Sequence, residues 1–240
     1  MVNMRLPVPG MFPDALRLYL VTDQACAGGR TLKDVVSAAV KGGVTCVQLR
    51  EKQLNTRDFF AQALLLKELL DPHGIPLVIN DRIDVALACG AHGVHLGQGD
   101  MPVPQARRLL PPDVFIGWSV ETLADVARSA TLAVDYLGVS PIYATPTKAD
   151  TQAPWGLEGL RKVRLASPLP LVAIGGIHAC NAHAVLLAGA DGLAVVSALC
   201  AAPDPRAAAA RLRAIIDVHR ESLTPSQTKP GQTACTRDYT

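Results

Sequence analysis

The feature that most constrains this chain is an alternation repeated eight times: a short β-branched run, then a stretch with helical periodicity. The apolar runs fall at residues 16–22, 46–49, 76–79, 93–96, 114–118, 136–140, 170–174 and 192–196. The helical patterns fall between and after them, at 32–41, 57–70, 83–88, 103–110, 122–129, 157–165, 179–188 and 205–218. A run of this kind followed by a helix returns the chain to a parallel sheet. Eight parallel strands with crossover helices can close on themselves and leave no sheet edge. The expected fold is therefore α/β, a single (β/α)8 TIM barrel over residues 16–221, at a length of 240 residues. Residues 1–15 read as a proline-bearing N-terminal extension. Residues 222–240 read as a disordered polar tail, too poor in apolar side chains to order.

Composition agrees. Apolar residues make up 49% of the chain and aromatics only 4%, so the core must be built from Ala, Val, Leu and Ile. A net charge of +2 provides no field for nucleic acid or an anionic membrane. The six cysteines show no metal-type spacing and read as reduced core thiols. The start has no signal-peptide pattern, and the most apolar stretch, 184–202, is broken by Gly189, Asp191 and Gly192. These features point to a cytoplasmic enzyme acting on small molecules, with a homo-oligomer left open.

In a closed barrel the reactive groups stand at the carboxyl ends of the strands. Polar residues gather at those ends: Gln48 to Lys52, Asn80 to Arg82, Gln98 to Asp100, Ser119, Thr145 to Lys148, Gly175–Gly176 and Ser197. No comparable set is expected at the opposite ends. Asp81 and Asp100 follow neighbouring strands, which run about 5 Å apart. Two close carboxylates suit Mg2+, which takes its other ligands from water and phosphate. A plainer alternative is that Asp81 caps the next helix and Asp100 sits in a turn. Arg50, Lys52 and Lys148 on the same rim favour a metal-bridged diphosphate. Gly175–Gly176 and Val196–Ser197, after the last two strands, occupy the usual phosphate position of such barrels. His92 and His95 flank a strand start and read as one loop and one core residue. His178 and His183 receive no catalytic role.

The segments LYLVTD, QLREK, INDR with VALACGAHGVHLGQGDMP, GWSVET, YLGVSPIYATPTK, AIGGI and ADGLAVVSAL together resemble the thiamine-phosphate synthase family over residues 18–203. That resemblance implies condensation of 4-amino-2-methyl-5-(diphosphooxymethyl)pyrimidine with 4-methyl-5-(2-phosphoethyl)thiazole, or its carboxylated form, releasing pyrophosphate. It implies Mg2+ on Asp81 and Asp100. It implies pyrimidine diphosphate binding by Gln48, Arg50, Lys52, Asn80, Ser119 and Lys148, with Ser119, Lys148 and Arg50 as the catalytic set. Thr145, Thr147, Gly176, Val196 and Ser197 would hold the thiazole phosphate. Gly99 and His92 stand where family members often carry acidic residues. The readings weighed against this are a thiazole tautomerase of the same superfamily and a non-catalytic phosphate sensor. Residues 145–154 are long enough to act as a lid.

Overall fold

Parallel pairing runs around a complete ring, each strand bonded to the next in sequence and the last bonded to the first. A computed structural model describes residues 14–145 and 153–223 of the chain. The strands are β1 (Leu18–Val21), β2 (Cys46–Leu49), β3 (Leu77–Asn80), β4 (Gly93–Leu96), β5 (Phe115–Val120), β6 (Tyr136–Val139), β7 (Leu171–Ile174) and β8 (Gly192–Val195). β1 closes on β8 in parallel, with Leu18 opposite Leu193 and Leu20 opposite Val195. The helices are α1 (Leu32–Lys41), α2 (Thr56–Leu70), α3 (Ile83–Cys89), α4 (Val103–Leu109), α5 (Leu123–Ser129), α6 (Gly156–Ala166), α7 (Ala182–Leu187), α8 (Ser197–Cys200) and α9 (Pro205–Leu223).

The eightfold alternation therefore builds the expected (β/α)8 barrel, with shifts at element ends. β5 runs on to Val120, because Ser119 and Val120 keep their pairing with β6. α7 starts at Ala182, later than the helical pattern suggests, since 178–181 forms a turn in which Asn181 Oδ1 accepts the His178 amide. α9 continues to Leu223, two residues into the expected tail. Residues 1–13 and 224–240 lie outside the described residues. Short helices at Gln24–Ala27 and Ser197–Cys200 went unpredicted; the first starts where Asp23 accepts the Ala25 amide.

Local chemistry sets several boundaries. Thr31 accepts the Asp34 amide and starts α1, and Asn55 does the same for Asp58 in α2. Thr122 and Asp125 form a reciprocal capping box at α5. Strand side chains alternate between two buried clusters. Leu18 and Leu20 belong to the large cluster packed under the helices. Tyr19, Val21, Cys46, Val78, Phe115, Tyr136, Val172 and Ala194 fill the barrel interior. Gly117 makes room for one of these rings: a Cβ there would lie 2.0 Å from Tyr136 Cζ.

One expectation fails. The amino ends of the strands do carry a polar set. Asp135 Oδ2 accepts from Arg107 Nη2 and from the Ile116 amide, both at 2.7 Å. Asp191 Oδ2 accepts from Arg164 Nη1 at 2.9 Å and from the Leu171 amide at 2.8 Å. These pairs tie helices to strand starts, where the barrel must satisfy backbone donors that the ladder leaves over. In sequence they look like isolated surface charges.

Candidate active site

One cavity of about 580 Å³ opens at the carboxyl ends of the strands. Gln48, Arg50, Lys52, Asn80, Asp81, Asp100, Ser119, Thr145, Gly176, Val196 and Ser197 all line it. Thr147 and Lys148 lie outside the described residues, as does most of the segment read as a lid.

Asp81 stands just past β3 in the left-handed region, at φ 62°. Its amide donates to the His95 carbonyl at 2.9 Å, which holds the turn against β4. The helix cap after this turn is Arg82 and has no side-chain cap bond, so the capping alternative for Asp81 fails. The Asp100 alternative is half right: Oδ2 accepts the Gly97 amide at 2.6 Å and closes a turn, yet the residue also faces the cavity. The two carboxyls share a hydrogen bond. Burial first, and the facing Asp100 second, push the Asp81 pKa up to about 7, while Lys52 and Arg50 pull it down.

On the neighbouring strand, the Arg50 amide donates to Thr22 Oγ1 at 3.0 Å. Glu51 Oε1 accepts the Gln24 amide at 3.2 Å, joining the loop after β1 to the loop after β2. Burial raises the Glu51 pKa. Gln48 turns inward, is 5% exposed, and donates Nε2–H to the Tyr19 hydroxyl.

Across the mouth, Gly175 and Gly176 take φ of 106° and 65°. A Cβ on Gly176 would sit 2.8 Å from Tyr143 Cβ and 3.1 Å from the Ala144 carbonyl oxygen. Only glycine fits that turn without strain. Asn181 Nδ2 donates to the Gly176 carbonyl at 2.9 Å and braces the turn. Val196 precedes α8, and Arg30 donates to the Cys200 and Ala202 carbonyls at 2.8 and 2.7 Å, pinning the far end of that short helix.

Residues 18–199 match the family described as thiamine monophosphate synthase. The chain belongs to that family. A thiamine-phosphate synthase of Albidiferax ferrireducens is 83% identical over 203 residues, covering 85% of this chain and 93% of the relative. One of Chloroflexus aurantiacus is 51% identical over 205 residues, covering 85% of this chain and 94% of the relative. A solved structure of thiamine phosphate pyrophosphorylase from Pyrococcus furiosus superimposes with a TM-score of 0.79 at 37% identity, covering 86% of this chain and 98% of that one.

Several cavity residues of this thiamine monophosphate synthase family member escaped the sequence reading. His95, read as loop or core, lies in β4 and points into the cavity, with Nε2 2.8 Å from Ser119 Oγ. The strand alternation held the signal: His95 shares its face with Gly93, whereas Val94 and Leu96 belong to the helix-side cluster. His178, given no role, also lines the cavity. Gln98, counted on the polar rim but given no role, donates Nε2–H to the Ser119 carbonyl at 2.7 Å and accepts from Arg128, whose guanidinium carbon lies 4.9 Å from the Trp118 ring centre. His92 is elsewhere: its Nδ1 accepts the Leu77 amide at 3.1 Å at the amino end of the barrel.

Proposed function

We propose that this chain is a thiamine-phosphate synthase. It joins 4-amino-2-methyl-5-(diphosphooxymethyl)pyrimidine to 4-methyl-5-(2-phosphoethyl)thiazole, or its carboxylated form, and releases pyrophosphate. The observation that carries the reading is that one cavity is lined by two sets of groups, each suited to an anion. Asp81 and Asp100 with Arg50 and Lys52 form one, and the Gly175–Gly176 turn with Val196–Ser197 forms the other.

Mg2+ fits the first set. A half-buried carboxyl pair held so close that one member ionises only near neutral pH is relieved by a divalent cation. Two carboxylates suffice for Mg2+, whose remaining positions go to water and substrate phosphate. Asp81 and Asp100 would hold it, and it would supply positive charge to the diphosphate oxygens. Arg50 and Lys52 add fixed positive charge on the same side, and Lys148 completes the set for the departing group. Asn80 and Gln48 bind towards the pyrimidine. Ser119 offers a hydroxyl to the diphosphate side. Thr145, Thr147, Gly176, Val196 and Ser197 hold the thiazole phosphate and so aim its ring at the pyrimidine.

The bond to diphosphate breaks as the pyrimidine amino group pushes electrons towards the methylene carbon, leaving a stabilised carbocation. The thiazole nitrogen then forms the C–N bond with its own lone pair. No proton is taken from that nitrogen, so the rim has no need of a strong general base. The chain carries free thiols at Cys26, Cys46, Cys89, Cys180 and Cys200, which suits a reducing cytoplasm. No described helix is long and apolar enough to cross a membrane.

A coupled assay tests the reading. With both substrates and Mg2+, thiamine phosphate and pyrophosphate should appear in equal amounts; neither should form without the metal. Binding of both substrates with no pyrophosphate released would refute it.

A further inference from the structure

A chain of hydrogen-bonded side chains crosses the barrel interior beneath the cavity. Gln48 Nε2 donates to the Tyr19 hydroxyl at 2.9 Å. The Tyr19 and Tyr136 hydroxyl oxygens are 3.0 Å apart. The Tyr136 hydroxyl lies 2.9 Å from His95 Nδ1. His95 Nε2 lies 2.8 Å from Ser119 Oγ, at the cavity wall. Five strands contribute one residue each, and Tyr19 and Tyr136 are 1% and 0% exposed.

Counting hydrogens shows why the start of this chain matters to its end. An amide N–H only donates, and each hydroxyl has one hydrogen. With Gln48 donating to it, Tyr19 gives its hydrogen to Tyr136, and Tyr136 gives its own to His95 Nδ1. A neutral imidazole then carries its hydrogen on Nε2 and gives it to Ser119 Oγ. The Ser119 hydrogen is left to turn into the cavity. In the reverse order Tyr19 accepts from both Gln48 and Tyr136. Its own hydrogen then has the neighbouring Cys46 thiol, a weak acceptor, in place of an oxygen. A buried hydroxyl loses by that exchange.

We infer that Gln48, acting through Tyr19 and Tyr136, holds His95 as the Nε2–H tautomer and so makes the Ser119 hydroxyl a committed hydrogen-bond donor to the substrate above it. The inference rests on the synthase reading for its use. A donor whose hydrogen is already turned outward strengthens as negative charge builds on a departing diphosphate, with no reorientation needed. Tyr19, Tyr136 and His95 are then positioning residues that act on turnover through Ser119, and Gln48 adds this action to its place beside the pyrimidine.

The test is nitrogen NMR on substrate-free protein with 15N-labelled histidine. The His95 signals are assigned by their loss in His95→Gln. The expected result is a protonated Nε2 and a bare Nδ1. In Gln48→Met, which keeps the shape but removes the donor, and in Tyr19→Phe, the tautomers should mix. In both, kcat should fall about tenfold or more while KM for the thiazole phosphate stays put. A proton on Nδ1 in the unaltered protein, or on both nitrogens, overturns the inference. So does a pure Nε2–H state that persists in both variants. The unaltered protein decides the matter even where a variant fails to fold. The tautomer is read without substrate, so failure of the synthase assay and failure of this inference are separate results.

Discussion

The Asp81 and Asp100 carboxyls share a hydrogen bond, and burial together with that facing carboxylate puts the Asp81 pKa at about 7. The folded protein therefore holds a proton here that the unfolded chain gives up near the ordinary Asp value of about 4. As pH rises from there through about 7, the metal-free fold loses stability. Asp81→Asn removes the charge and tolerates the left-handed backbone at φ 62°. The metal-free variant should melt above the parent at pH 8, with the gap closing towards pH 5, while synthase turnover collapses. An equal gap at both pH values would refute the argument.

The same linkage governs the metal. Mg2+ needs the Asp81 carboxylate ionised, so binding to the substrate-free protein should tighten between pH 6 and pH 8 and release a proton at the lower end. Calorimetry in buffers of different ionisation enthalpy measures both quantities. Affinity independent of pH would remove Asp81 from the ligand set.

Arg50 lines the cavity on the carboxylate side, and its position is set through its own amide by Thr22 rather than by its guanidinium. Arg50→Ala should lower kcat by about 100-fold, the usual cost of removing one group that stabilises developing charge. Its melting temperature should hardly change. Pyrophosphate release under saturating substrates measures the first and a thermal melt the second.

Gly176 has no room for a methyl group and sits at φ 65°. Gly176→Ala should cost about 1–2 kcal/mol of stability from backbone conformation alone. It should raise KM for the thiazole phosphate much more than KM for the pyrimidine diphosphate. Steady-state kinetics with each substrate varied in turn separates the two; equal changes would mean the turn serves no particular phosphate.

Asp135 accepts from Arg107 and from the Ile116 amide at the end of the barrel remote from the cavity. Asp135→Ala leaves both donors short of a partner, at a cost of about 1–3 kcal/mol. For a domain this size each kcal/mol lowers the melting point by about 2–4 °C. Turnover at 25 °C should be unchanged, since no cavity residue moves. Denaturant midpoints and initial rates check the two halves of this expectation.

Much of the site was legible because barrel topology converts order along the chain into position in space. Once a residue follows a strand, it stands at the mouth, and Asp81, Asp100, Arg50 and Gly176 were found that way. Side chains within strands were harder. His95 looked like core because its neighbours Val94 and Leu96 are core, and only the alternation of faces separates it from them. Tyr19 and Tyr136 escaped for the same reason: nothing local distinguishes a buried tyrosine that closes a polar chain from one that fills space. Glu51 belongs to the polar run Gln48 to Lys52, but its bond to the Gln24 amide makes it a brace between loops.

By itself the amino-acid order determined the eight strand–helix units, the closed barrel and the rim on which the charged groups stand. It could do so because periodicity, turns and caps are local, and closure leaves few topologies open. Only the tertiary structure decided that Asp81 and Asp100 touch and that Asp135 serves a strand start. It alone linked Gln48 to Ser119 through two buried tyrosines and the half-buried His95. Those facts depend on side chains from different strands meeting at hydrogen-bonding distance, and no interval along the chain encodes such a distance.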